Sequence, residues 1–140
     1  MSASLATLSN NPINQFSEIR DRAHFQHILT NENPGIIYIK FGAEWCGPCK
    51  QIVPQINHWI KQLPPKKVHI YIIDIDDYLD VYAFLKNKKM VSAIPTILCY
   101  YKENTSYVPD DIIMGSDTSK INDFFIRTLA TLPPDHLTFN

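Results

Sequence analysis

Two cysteines, Cys46 and Cys49, enclose Gly47 and Pro48. Residues at i and i+3 share a helix face, so a helix beginning here lets the two sulfurs meet across its first turn. Their Cα atoms then fall near the roughly 5.5 Å that a disulfide prefers. At a helix start the unpaired N–H groups and the macrodipole favour negative charge, which lowers the thiol pKa of Cys46. Pro48 suits that first turn, where its missing N–H costs nothing. The chemistry that follows is dithiol exchange. A Cys46 thiolate attacks a substrate disulfide, Cys49 attacks the resulting mixed disulfide, and reduced substrate leaves behind an oxidised Cys46–Cys49 pair that a dithiol donor must restore.

The same spacing is half of a zinc site, which needs four ligands. The only other cysteine, Cys99, lies in an apolar stretch and reads as a small core residue. His24, His27, His58, His69 and His136 supply no second metal-spaced pair, and His24 and His27 read as a solvated helix flank. A C-x-x-C that follows a strand and opens a helix favours redox use over metal, so neither a metal nor a cofactor is expected.

The elements that must position the pair alternate. Residues 16–19 read as a short edge strand, and Asp21 as the N-cap of a helix carrying Phe25, Ile28 and Leu29 on one face. Residues 36–41 form a near-continuous apolar run, the pattern of a central strand covered on both faces. After the cysteine motif, Ile52, Ile56, Ile60 and Leu63 recur at helical spacing until Pro64-Pro65, with a kink expected at Pro54. Residues 68–73 make a second apolar strand, followed by Asp74-Ile75-Asp76-Asp77 and a shorter helix with Val81, Tyr82 and Leu85. Strands at 96–101 and 112–114 come next. A last helix then presents Ile121, Phe124, Phe125, Leu129 and Leu132 before Pro133-Pro134. The order βαβαβαββα predicts an α/β sheet with a parallel core, its last two strands antiparallel.

Bulk properties exclude several classes. With 45% hydrophobic and 19% charged residues, the 140-residue chain is an ordinary globular one of single-domain length. Thirteen basic against fourteen acidic side chains leave a formal net charge of −1 and no electrostatic footprint for nucleic acid or anionic lipid. The apolar runs are far below the roughly 20 residues that span a bilayer. Residues 1–14 hold no Lys or Arg and read as a disordered lead-in, neither a secretory signal nor a transit peptide. A cytoplasmic monomer is the expectation, with a domain over 15–132 and a frayed tail at 133–140.

Ala43-Glu44-Trp45-Cys46-Gly47-Pro48-Cys49-Lys50 resembles the active-site segment of the thioredoxin family residue for residue. Pro54 stands where that family has its kinking helix proline, Ala93-Ile94-Pro95-Thr96 where it has a cis-proline loop, and Gly115 where it has a groove glycine. The resemblance implies a thioredoxin fold, a central mixed β-sheet of four to five strands flanked by about four helices. It implies a thiol–disulfide oxidoreductase that reduces protein disulfides, with Cys46 as nucleophile and Cys49 as resolving thiol, and a thioredoxin reductase or equivalent donor as partner. Trp45, Gly47, Ile94, Pro95 and Gly115 would line the groove that docks the substrate chain, and Gly47 and Pro48 would tune the pair. Without the resemblance, Pro95 also reads as a strand-start proline.

One position departs. The family's aspartate six residues before the first cysteine is Lys40 here, and its partner lysine on the next strand is Ile72. Lys40 shares a strand face with Ile36 and Tyr38 and should point beneath the cysteines, where burial lowers a lysine pKa. A neutral Lys40 would take a proton from Cys49; a charged one would favour thiolates and a more oxidising disulfide; a snorkelling one would do neither. The charged form is the expectation, and with it a disulfide-forming or isomerising enzyme competes with a reductase. An interaction module with a dispensable redox pair is the third alternative. The connection 102–111 exceeds what a tight hairpin needs, and reads as a tolerated insertion or a partner surface.

Overall fold

A computed structural model describes residues 13–134. The expected lead-in up to residue 12 and the tail from 135 lie outside the described residues. The strands are β1 (Gln15–Phe16), β2 (Ile36–Gly42), β3 (Val68–Asp74), β4 (Thr96–Tyr101) and β5 (Asp111–Met114). The helices are α1 (Arg22–Asn31), α2 (Gly47–Gln51), α3 (Val53–Ile60), α4 (Leu79–Asn87) and α5 (Thr118–Leu129). The sheet order is β1-β3-β2-β4-β5, with β1, β3 and β2 mutually parallel and β4 and β5 antiparallel. This is the mixed sheet that the sequence predicts.

Strand β2 sits at the centre, and all seven of its residues are buried. Alternation sends its side chains to two layers. Ile37, Ile39 and Phe41 pack with Phe25, Ile28 and Leu29 of α1 and with Val81 and Leu85 of α4. Ile36 and Tyr38 pack with Ile56 and Ile60 of α3 and with Ile121, Phe124 and Phe125 of α5. Apolar cover on both sides is why the strand reads as a near-continuous apolar run, broken only at Lys40.

Local chemistry sets the helix bounds. Asp21 caps α1 by accepting the His24 N–H at 2.8 Å, as its side-chain type predicts. Pro54 has no N–H for the Lys50 carbonyl four residues back. The expected kinked helix is therefore two segments, α2 and α3, joined at Ile52, which raises the helix count among the described residues to five. Asp117 caps α5 through the Lys120 N–H. Trp59 of α3 stacks on Phe125 at 5.1 Å and donates to Asn122 Oδ1 at 2.8 Å, which locks α3 to α5.

The structure corrects three details. The first strand is only Gln15–Phe16; Ile19 is buried, but its backbone is not in the sheet. Asn14 is not part of a loose lead-in, because its Nδ2 donates to the Val68 carbonyl and its own carbonyl accepts the Ile70 N–H. On α5 the buried positions include Thr128, whose hydroxyl meets Tyr38 Oη at 2.6 Å, while Leu129 is half-buried and Leu132, also half-buried, lies beyond the helix end. The long connection before β5 is knitted to the sheet. Asn104 donates to the Val108 carbonyl and to Asp110, and Asp110 accepts the Tyr101 N–H.

Candidate active site

The site forms where β2 ends and β4 begins. Thr96 pairs with Phe41, so the loop ahead of Thr96 and the loop after Gly42 lie side by side at one end of the sheet. Gly42 accepts the Ile75 N–H, and Ala43 accepts the Cys46 N–H, which turns the chain into α2. Cys46 is the N-cap of that helix, and its sulfur accepts the Cys49 N–H at 3.2 Å. Pro48 falls in the first turn, as expected. Cys46 and Cys49 are joined as a disulfide with Cα atoms 5.2 Å apart. Both are buried against the α1–α4 layer, while Gly47 and Pro48 stand exposed at the tip.

The other expected residues lie on the neighbouring loops. Ile94 packs against the cluster that contains both cysteines, and the Ile94-Pro95 peptide bond is cis. Gly115 donates its N–H to the Pro95 carbonyl at 2.9 Å with φ at +96°, a left-handed conformation that requires glycine. Trp45 is 67% exposed beside the disulfide, an apolar surface left open to solvent.

Lys40 lies beneath. It pairs in register with Ile72 on β3 and Ile97 on β4, which places Ile72 across from it as the sequence comparison required. The side chain is only 6% exposed, so the snorkelling alternative fails. Lys40 Nζ and Cys49 Sγ each lie 3.5 Å from the point that a Cβ on Gly42 would occupy. Lys40, Cys49, Val53, Ile72 and Asp74 line a cavity of about 290 Å³ under the disulfide. Burial holds the Lys40 ammonium below the ordinary lysine range. No carboxylate among the described residues forms an ion pair with it.

Two features of the site escape sequence reasoning. Asp76 Oδ2 accepts the Trp45 indole N–H at 2.8 Å across 31 residues, and Asp74 Oδ1 accepts the Asp76 N–H, so the acidic run after β3 steadies the exposed ring. Met114, 47% exposed just ahead of Gly115, takes a hydrogen bond from Ser92 Oγ at 3.2 Å. Cys99 is buried in β4, and burial pushes its thiol well above the usual range. Among the described residues no group of three His, Cys, Asp or Glu is arranged to hold a metal, and no helix is long and apolar enough to cross a membrane.

The Thioredoxin family model matches residues 16–126. Thioredoxin-1 of Saccharomyces cerevisiae is 38% identical over 65 residues, 46% of this chain and 57% of that protein. The mitochondrial thioredoxin of Mus musculus is 34% identical over 80 residues, 57% of this chain and 45% of that protein. The chain thus spans about half the length of these curated relatives. The crystal structure of Malassezia sympodialis thioredoxin superposes with a TM-score of 0.59 at 25% identity, covering 81% of this chain and 90% of that one. A family match over most of the described residues, on a five-stranded mixed sheet that carries the Cys46–Cys49 pair at a helix start, places the chain in the thioredoxin family.

Proposed function

We propose that the chain is a thiol–disulfide oxidoreductase that reduces protein disulfides, with Cys46 as nucleophile and Cys49 as resolving thiol. The observation that carries this is the Cys46–Cys49 disulfide at the start of α2, beside the Ile94-Pro95 loop. In the dithiol form a Cys46 thiolate at the helix start attacks the substrate disulfide, expels one substrate sulfur and becomes mixed-disulfide-linked. Cys49 then attacks Cys46, which releases the second sulfur as thiolate and re-forms the pair. Trp45, Gly47, Ile94, Pro95 and Gly115 form the docking groove, and the Ile94 backbone pairs with the substrate chain in strand fashion. The partners are disulfide-bearing proteins and a thioredoxin reductase or equivalent dithiol donor, in a compartment that keeps thiols reduced, such as the cytosol. Coupled turnover of a protein disulfide with NADPH and thioredoxin reductase tests this. Turnover that vanishes in Cys46→Ser, Cys49→Ser supports it. A double variant that still fulfils the biological role would make the fold an interaction module instead.

Lys40 favours a second reading, a more oxidising enzyme. An ammonium beside Cys49 stabilises its thiolate and therefore the dithiol form. The disulfide then becomes a stronger oxidant than thioredoxin at about −270 mV. The measured potential separates the two readings.

A further inference from the structure

Met114 is the one described methionine that stands open to solvent; Met90 is half-buried against the core. It ends β5, pairs with Thr96 immediately after Pro95, and precedes Gly115, whose N–H holds the Pro95 carbonyl. Its thioether therefore borders the loop that carries Ile94 and Pro95, and Ile94 packs against the cluster that contains both cysteines. Ser92, on the loop ahead of Pro95, donates its hydroxyl to Met114 Sδ at 3.2 Å. We propose that Met114 is a reversible oxidation site at which peroxide forms a sulfoxide that weakens docking of protein substrates while leaving the cysteine pair intact.

Hydrogen peroxide transfers one oxygen atom to Sδ, the sulfur is oxidised by two electrons, and the peroxide leaves as water. Ser92 engages one face of the sulfur, and the second lone pair remains for attack. In the disulfide form Cys46 and Cys49 present no thiol, and Cys99 is buried. A polar S=O on the groove's edge must be desolvated when an apolar substrate segment docks. A small disulfide that reaches Cys46 without crossing the groove's edge does not meet this cost.

This inference rests on the reductase reading above, and its test separates the two. The intact oxidised protein is treated with limiting hydrogen peroxide, the excess is removed with catalase, and oxidation is mapped by peptide mass. Met114 converts ahead of Met90, an order that is independent of turnover. After treatment, kcat/KM for a protein disulfide falls by roughly threefold to tenfold, as expected for burying a partly compensated polar group. Turnover of a small aromatic disulfide is unchanged, methionine sulfoxide reductase restores the loss, and Met114→Leu shows no change on treatment. Oxidation of Met90 as fast as Met114 would overturn the proposal, as would an unchanged kcat/KM at full conversion or an equal fall for both substrates. The untreated protein reports separately on the reductase reading.

Discussion

Replacing Lys40 with methionine keeps the stem's apolar bulk and removes the only cation lining the cavity that is itself buried. Lys40 Nζ and Cys49 Sγ approach one point near Gly42 at 3.5 Å each, so the two atoms are at most about 7 Å apart. At an effective dielectric of about 20, that pair attracts by roughly 2–3 kcal/mol. The cavity opens toward solvent, and screening about halves the figure, to between 1 and 1.5 kcal/mol, approximately. The attraction exists only when Cys49 is a thiolate, so it stabilises the dithiol and not the disulfide. Lys40→Met should therefore lower the reduction potential by about 30 mV, since 30 mV corresponds to about 1.4 kcal/mol for two electrons. Lys40→Asp should lower it further, because a carboxylate repels the thiolate. Redox titration against a glutathione buffer, read by tryptophan fluorescence, measures both. Equal potentials in wild type and Lys40→Asp would refute the reasoning.

The same lysine sets a pH dependence. Burial depresses its folded-state pKa, so the unfolded chain binds the proton more tightly and stability of the oxidised protein rises with pH. The rise begins at the depressed value and ends near the ordinary lysine value; across that window the urea midpoint of wild type should climb relative to that of Lys40→Met, because the buried Cys99 thiol and the buried tyrosines act alike on both proteins. Gly115→Ala should cost about 1–2 kcal/mol in chemical denaturation, entirely from the backbone, because φ is +96° while the added Cβ meets nothing within 4 Å. Thr128→Val leaves the buried Tyr38 hydroxyl without its partner, and should lower stability by about 1–3 kcal/mol with no change in the redox potential. A loss below 0.5 kcal/mol, approximately, would mean that water or another group takes over that bond.

Most of the frame was legible because its signals are local. The apolar run of β2, the Asp21 cap and the position of Pro54 each act within a few residues, and each acts as its chemistry predicts. Apolarity alone does not mark pairing: Ile19 is buried, but only Gln15 and Phe16 find partners on β3. Thr128 was hidden for the opposite reason, since a hydroxyl looks like a surface residue until Tyr38 Oη and the Phe124 carbonyl appear as its partners. At the site, the Cys46–Cys49 spacing announced itself. The Trp45–Asp76 and Ser92–Met114 contacts did not, because each joins loops far apart in sequence that only the sheet brings together. Lys40 was intermediate: strand alternation assigned its face, and only the structure shows it buried beside Cys49.

The division of labour between the two cysteines is tested most directly by mixing single variants, fully reduced, with a protein disulfide and resolving the products by non-reducing mass spectrometry. Cys49→Ser should accumulate a mixed disulfide through Cys46, because nothing remains to resolve it, and Cys46→Ser should accumulate none. A trapped adduct on Cys49 in the Cys46→Ser protein, or no adduct in either, would contradict the assignment of Cys46 as the attacking thiol.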